Sequence, residues 1–347
     1  MSAGQLANVA AQGARATGSA RVMAAGRRAG AVVAGSYGLV VAWLVIIAMF
    51  GALRPGTFLS AANLANILGS QAVIAVLTLG VLLPMTAGDF DLSIASNLTL
   101  TAMVTAVLNV NLGWPILAAI AVALVIGALI GLLNGLLVTG LGIDPFIVTL
   151  GTGTFANGIT LLISGSNTIS GVSNSLVNAV IGWHFLTVPI AFYYALGLCA
   201  VIWWVFEYTR TGRLFLVVGR GRLVARLSGV RVSRVRIVAL TASGFVAALA
   251  GVLYAGNSGS ADPVSGTQLM LPAFAGAFLG ATVIKPGKFN AWGSLIAVYF
   301  LVTGITGLQM LGVDSFVQDL FYGGALVVAV GLSRLLQRRH VADEEGR

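Results

Sequence analysis

Two carboxylates stand two residues apart in an otherwise apolar stretch, Met85-Thr86-Ala87-Gly88-Asp89-Phe90-Asp91-Leu92-Ser93. In or beside a bilayer an ionisable side chain is expensive, so Asp89 and Asp91 are functional candidates by default. Three roles suit them: a gate or path for a polar solute, a proton or cation relay, or plain caps on the next helix, for which Asp91 and Ser93 are the right types. A relay is disfavoured because no Lys or His lies in the apolar segments beside them. Pro84 and Gly88 predict a helix break at this point. Asn97, one turn on from Ser93, belongs to the same polar group.

A second polar block is Ile143-Asp144-Pro145-Phe146-Ile147-Val148-Thr149-Leu150-Gly151. Asp followed by Pro is the N-cap and first position of a helix. Phe146 and Thr149 then share a face, to line a path or simply to pack. The third block is basic: eight of the chain's 19 Lys and Arg residues lie between Arg210 and Arg236. Within it Leu223, Val224 and Leu227 are spaced for one apolar helical face, with Arg222 and Arg226 opposite, and Gly229 placed to close the helix. Such a helix, held between two spans, suits transmission of a push from a partner; a clamp on lipid headgroups is the plainer alternative.

Other chemistries find no residues. The nearest approach to a phosphate-binding loop, Pro286-Gly287-Lys288, lacks the first glycine and the following hydroxyl, so any ATP chemistry must belong to another chain and no cofactor is expected here. Nothing resembles a serine–histidine–acid set or a zinc-binding HExxH. Cys199 lies alone in an apolar run, and His184 and His340 are isolated. The net charge of +9 implies no nucleic acid, because the arginines flank apolar segments, where they set membrane topology.

These groups must be positioned by helices in lipid. Of 347 residues 58% are hydrophobic and 8% charged, against about 25% charged in soluble domains. The expected fold is an all-α polytopic membrane protein of about ten transmembrane helices, near 36–53, 71–88, 91–110, 115–139, 145–164, 188–206, 237–256, 268–284, 291–310 and 316–336. Residues 1–35 form a cytoplasmic tail, 36–336 the transmembrane domain with a cytoplasmic loop at 207–236, and 337–347 a second tail. With both termini inside, every Lys and Arg except Arg54 falls on the cytoplasmic side. Residues 165–187, ending in Ile181, Trp183 and Phe185, suit an interfacial helix on the outer surface. Gly127, Gly131 and Gly135 share one face of the fourth span and predict close helix packing.

In these blocks the chain resembles the permease subunit of bacterial ABC importers of the ribose type, over roughly residues 60 to 335. Gly88 to Ser93 is similar to that family's Gly-Gly-x-Asp-Leu-Ser segment, with Asp89 in place of the second glycine. Asn134-Gly135 followed by Asp144 to Gly151 resembles its "NG…PFIxTLG" block. Thr209 to Arg213 with Gly219 and Ala225-Arg226-Leu227-Ser228-Gly229-Val230 resembles its "TxxGR…GGNxxAAxLSGI" cytoplasmic coupling loop. Leu271 to Thr282 and Pro286 to Gly293 look like a further pair of its motifs. The chain departs from the pattern mainly in the coupling loop, at Gly221, Leu223 and Val224 and in the extra Arg220 and Arg222.

The resemblance implies ten helices with inverted repeats relating spans 2–5 to spans 7–10. It also implies a second permease copy or homologue, ATPase subunits at the cytoplasmic face, and a periplasmic or lipid-anchored sugar-binding protein. A monosaccharide or related polyol is the implied substrate, and the bacterial inner membrane the implied location. Asp89, Asp91, Ser93, Asn97, Asn134, Phe146 and Thr149 are the expected path or gate. Gly219, Arg220, Gly221, Arg222, Ala225, Arg226, Leu227, Ser228 and Gly229 are the expected ATPase contact. Permeases for nucleosides or branched-chain amino acids, and an ion-coupled transporter using the two aspartates, are the competing readings.

Overall fold

A computed structural model describes residues 37–345, with side chains through residue 331; the tail expected over 1–35 lies outside the described residues. The chain is a helical bundle. The first helix, α1 (Tyr37–Leu53), ends where Arg54 precedes Pro55. The next, α2 (Ala61–Thr86), is capped by Ser60, whose hydroxyl accepts from the Asn63 N–H at 3.2 Å, and turns at Gln71. Gly88, at φ +82°, breaks the chain as its sequence predicts. Three helices follow: α3 (Ile94–Asn111), α4 (Ile116–Gly140) and α5 (Pro145–Ser164). Asp144 caps α5 by accepting from the Phe146 N–H at 2.8 Å, and Gly165 ends it in the left-handed region at φ +59°.

The second half comprises α6 (Ile190–Tyr208), α7 (Arg210–Arg220), α8 (Arg222–Leu227), α9 (Val232–Ser258), α10 (Ser265–Gly280), α11 (Ala291–Met310) and α12 (Phe316–Glu345). The last runs on past residue 336, where the sequence suggested a tail. Among the described residues, seven helices are long and apolar enough to cross a membrane: α2 to α6, α9 and α11. The other elements expected to span are shorter in their apolar part: α1, α10 and the Phe316–Gly331 stretch of α12. Residues 165–187 do carry a short helix, Asn174–Val177, continued by a π-turn to Gly182, with Trp183 and Phe185 exposed.

Helix α2 is the centre. Every residue from Ala72 to Thr86 is buried, against α9, α10, α11 and α6. The closest crossing joins α4 to α9. A Cβ at Gly127 would stand 2.4 Å from the Ala248 Cβ, at Gly131 2.3 Å from the Leu240 carbonyl oxygen, and at Gly244 2.3 Å from the Gly127 carbonyl oxygen. Only bare backbone allows this approach, which lets dispersion act where lipid provides no hydrophobic drive between helices. The opposite face of α4 exposes Leu117, Val125, Leu129 and Leu133, a surface suited to acyl chains.

Candidate functional site

The helix break and the arginine loop, two separate blocks in sequence, meet at Asp89. Its side chain is fully buried. Arg222 Nη2 donates to Asp89 Oδ1 at 2.6 Å and to the Gly88 carbonyl at 2.7 Å. From the first turns of α9, Arg236 Nε donates to Oδ2 and its Nη2 to Oδ1, each at 2.8 Å. Two parallel N–H donors on one carboxylate form the strong, planar arrangement that arginine favours. The side chain of Arg236 is 12% exposed and that of Arg222 42%, so the Arg236 pair is the drier and the Arg222 pair the more screened.

Backbone reinforces this clasp. A Cβ at Gly219, near the end of α7, would lie 2.1 Å from the Thr86 carbonyl oxygen. The arginine loop therefore rests directly on the end of α2, and glycine is required for the contact.

Asp91 is equally buried but holds no cation. Its Oδ1 accepts from the Ser93 N–H at 3.0 Å and the Ser93 hydroxyl at 2.5 Å, and its Oδ2 from the Ser243 hydroxyl of α9 at 2.8 Å. Ser93 Oγ also accepts from Asn134 Nδ2 at 2.8 Å, and Asn134 Oδ1 accepts from the Thr152 hydroxyl at 2.7 Å. Thr149 Oγ1 accepts from the Leu92 N–H at 3.0 Å. Asn97 Nδ2 donates to the Gly127 and Gly244 carbonyls, both at 3.1 Å, across the α4–α9 crossing. These bonds tie the break between α2 and α3 to α4, α5 and α9.

The structure thus gathers Asp89, Asp91, Ser93, Asn97, Asn134 and Thr149, each 0–1% exposed. Their side-chain polar atoms are bonded within the protein, except Asn97 Oδ1, which is buried without a partner. Phe146 is not brought to them. Its side chain is 53% exposed, because it sits in the first turn of α5 on the side away from Thr149's contacts.

In the loop, Ala225 is buried, whereas Leu223, Val224 and Leu227 are 68–80% exposed. The apolar face of α8 points outward. Arg222 does not stand on an outer face but reaches inward to Asp89. Arg220, Arg226, Ser228 and Gly229 are exposed, Gly219 is in contact with α2, and Gly221 extends the chain between α7 and α8 at φ −177°.

Arg236, Ser243 and Thr152 were not singled out from sequence. Arg236 passed for a topology charge, and Ser243 is one more small residue beside Gly244. Thr152 lies three residues after Thr149, and that spacing was a usable signal.

The family model for the branched-chain amino acid transport system permease component matches residues 63–330. The D-allose transport system permease protein of Escherichia coli K12 is 33% identical over 306 residues, 87% of this chain and 92% of that protein. The ribose import permease of Bacillus subtilis 168 is 33% identical over 291 residues, 84% and 90% of the two chains. An autoinducer 2 import system permease of Enterobacter sp. 638 is 33% identical over 312 residues, 87% and 89% of the two. No solved structure matches the chain. On this extent of similarity the protein belongs to the branched-chain amino acid transport system permease family, as a multi-pass membrane permease of the ribose-type ABC importer kind.

Proposed function

We propose that this chain is the membrane-spanning subunit of an ATP-driven importer of a neutral monosaccharide or related polyol. ATP and Mg act on separate ATPase subunits at the cytoplasmic face, and the chain itself catalyses no reaction. A soluble or lipid-anchored binding protein delivers the sugar at the outer face, and a second permease copy or homologue completes the pathway. Both termini are cytoplasmic, with the arginine loop on the same side, and about ten spans with an inverted repeat make up the bundle.

The observation that carries the reading is the clasp. An outward apolar face on α8 is joined through Arg222 to a carboxylate at the end of the central helix. A partner docking on Leu223, Val224 and Leu227 would pull directly on the break between α2 and α3. Asp89, Asp91, Ser93, Asn97, Asn134 and Thr149 then serve as the hinge that this pull moves.

The names of the allose and ribose relatives favour a sugar; the family description favours a branched-chain amino acid. An amino acid's two charges need charged or strongly dipolar partners in a dry path. The carboxylates in the bundle are already engaged, Asp89 by arginines and Asp91 by serine hydroxyls, which favours the neutral solute. The same engagement argues against an ion-coupled relay.

Leu227→Asp tests the docking. A charge placed on the exposed apolar face should leave the melting temperature of the isolated permease unchanged, since surface substitutions usually fall within about 0.5 kcal/mol. Co-purification of the ATPase and ATP-driven sugar uptake in proteoliposomes should both be lost. Full assembly and uptake in this variant, or uptake by the permease alone on an ion gradient, would remove the reading.

A further inference from the structure

At the end of the bundle opposite the arginine loop, α2, α9, α10, α11 and α12 line a half-open cavity of about 250 Å³, in which Gln268 and Gln309 are exposed and Gln71, Asn257 and Gln318 half-buried. Its position follows from the chain path: α9 starts beside the arginine loop and runs 27 residues to Ser258, and Asn257, in its last turn, lines the cavity. Five carboxamides converge there, one from each of the five helices: Gln71, Asn257, Gln268, Gln309 and Gln318. No Asp, Glu, Lys or Arg is in the lining.

These amides are not consumed by the fold. Among the described residues, the side chains of Asn257, Gln268, Gln309 and Gln318 make no hydrogen bond within the protein, and Gln71 donates to the adjacent Ser70 at 3.2 Å. Pro272, also in the wall, has no N–H to offer the carbonyl four residues earlier, so the Gln268 carbonyl loses its helical partner. Each carboxamide has two donors and an acceptor, and a hydroxyl both donates and accepts. An array of free amides therefore matches a ring bearing several hydroxyls. Ile74, Val302 and Ile305 add an apolar wall for the C–H face of such a ring. The volume lies just below the ~300–1,000 Å³ of drug-sized pockets, which suits one ring rather than two.

We propose that this cavity is the first binding site for the solute within the permease, and that it takes a single neutral polyhydroxylated ring. The inference rests on the import reading above and assigns it a site. A zwitterionic amino acid finds no counter-charge there.

The test uses the transporter assembled with its ATPase and binding protein, with radiolabelled D-ribose, D-allose and L-leucine as probes. In the Gln268→Leu/Gln309→Leu variant, sugar uptake at saturating sugar should fall on the order of tenfold, from the loss of two hydrogen-bonding groups. ATPase stimulation by the sugar-loaded binding protein should stay near wild type. A second variant, Gln309→Cys, guards against misfolding. The native Cys199 is buried, so a methanethiosulfonate reagent should act at the new thiol, block uptake reversibly with reductant, and react more slowly in the presence of sugar but not of leucine.

Wild-type uptake by the double variant, or normal transport after labelling, would overturn the site. Complete absence of ATP-driven sugar uptake in the wild type would instead strike the import reading. The labelling arm needs no ATPase and would still decide the cavity, with protection by sugar supporting it and equal labelling rates refuting it.

Discussion

Asp89→Ala is expected to abolish transport and to destabilise the folded protein by roughly 3–5 kcal/mol, the cost of stranding a buried charge by removing its partner. The carboxylate receives three charge-assisted hydrogen bonds from two arginines at 2.6–2.8 Å. Its removal leaves Arg236, 12% exposed, without its carboxylate partner. Arg222 retains the Gly88 carbonyl and can reach water. The order of damage should therefore be Asp89→Ala, then Arg236→Ala, then Arg222→Ala, since a half-exposed pair is screened and contributes roughly 0–1 kcal/mol. Thermal unfolding of the three purified variants in lipid nanodiscs measures this order. Equal midpoints for Asp89→Ala and wild type would contradict the buried clasp.

Gly131→Val should prevent the bundle from closing. The Cβ alone would stand 2.3 Å from the Leu240 carbonyl oxygen and 2.9 Å from the Thr241 Cα. Both are backbone atoms of α9, so no side chain can swing aside and the helices must separate. Overpacking of cores costs typically 1–3 kcal/mol where side chains can adjust, and a rigid backbone contact places this site at or above that range. Separation also stretches the bonds from Asn97 to the Gly127 and Gly244 carbonyls, so the buried polar cluster is damaged with the packing. Gly158→Ala is the control, since a Cβ there meets nothing within 4 Å. Monodisperse yield after membrane extraction should fall sharply for Gly131→Val and hold for Gly158→Ala.

The sequence made the helices legible because lipid leaves few alternatives: apolar runs of span length, punctuated by Pro, Gly and charge, have to be helices. Buried faces were harder to read. Helix α4 is apolar all round, and its inward face is marked by Gly127, Gly131, Asn134 and Gly135 rather than by hydrophobicity. In lipid, small and polar residues identify the interior, as the glycine spacing indicated.

The candidate site was found in its members but not in its connections. Asp89 and Arg222 were both visible, one as a departure from a glycine in the family pattern, the other as an extra arginine. Their separation of 133 residues gave no reason to pair them. The structure shows that the two departures meet, the carboxylate of one receiving the guanidinium of the other. The separation of Phe146 from the buried cluster has a related cause. A three-residue spacing places it near Thr149 on the helix, but that face turns from buried to exposed within one turn, and only tertiary contacts decide where.

The central claim is that movement of the arginine loop reaches the transmembrane helices through the clasp at Asp89. The most direct measurement is the ratio of sugar imported to ATP hydrolysed in proteoliposomes carrying Arg222→Ala, the variant that loosens the clasp while leaving Arg236 on Asp89 and the apolar face of α8 intact. The account predicts an assembled complex that hydrolyses ATP near the wild-type rate while the import ratio falls several-fold. An unchanged ratio at the wild-type rate, or a proportional loss of import and hydrolysis, would contradict it.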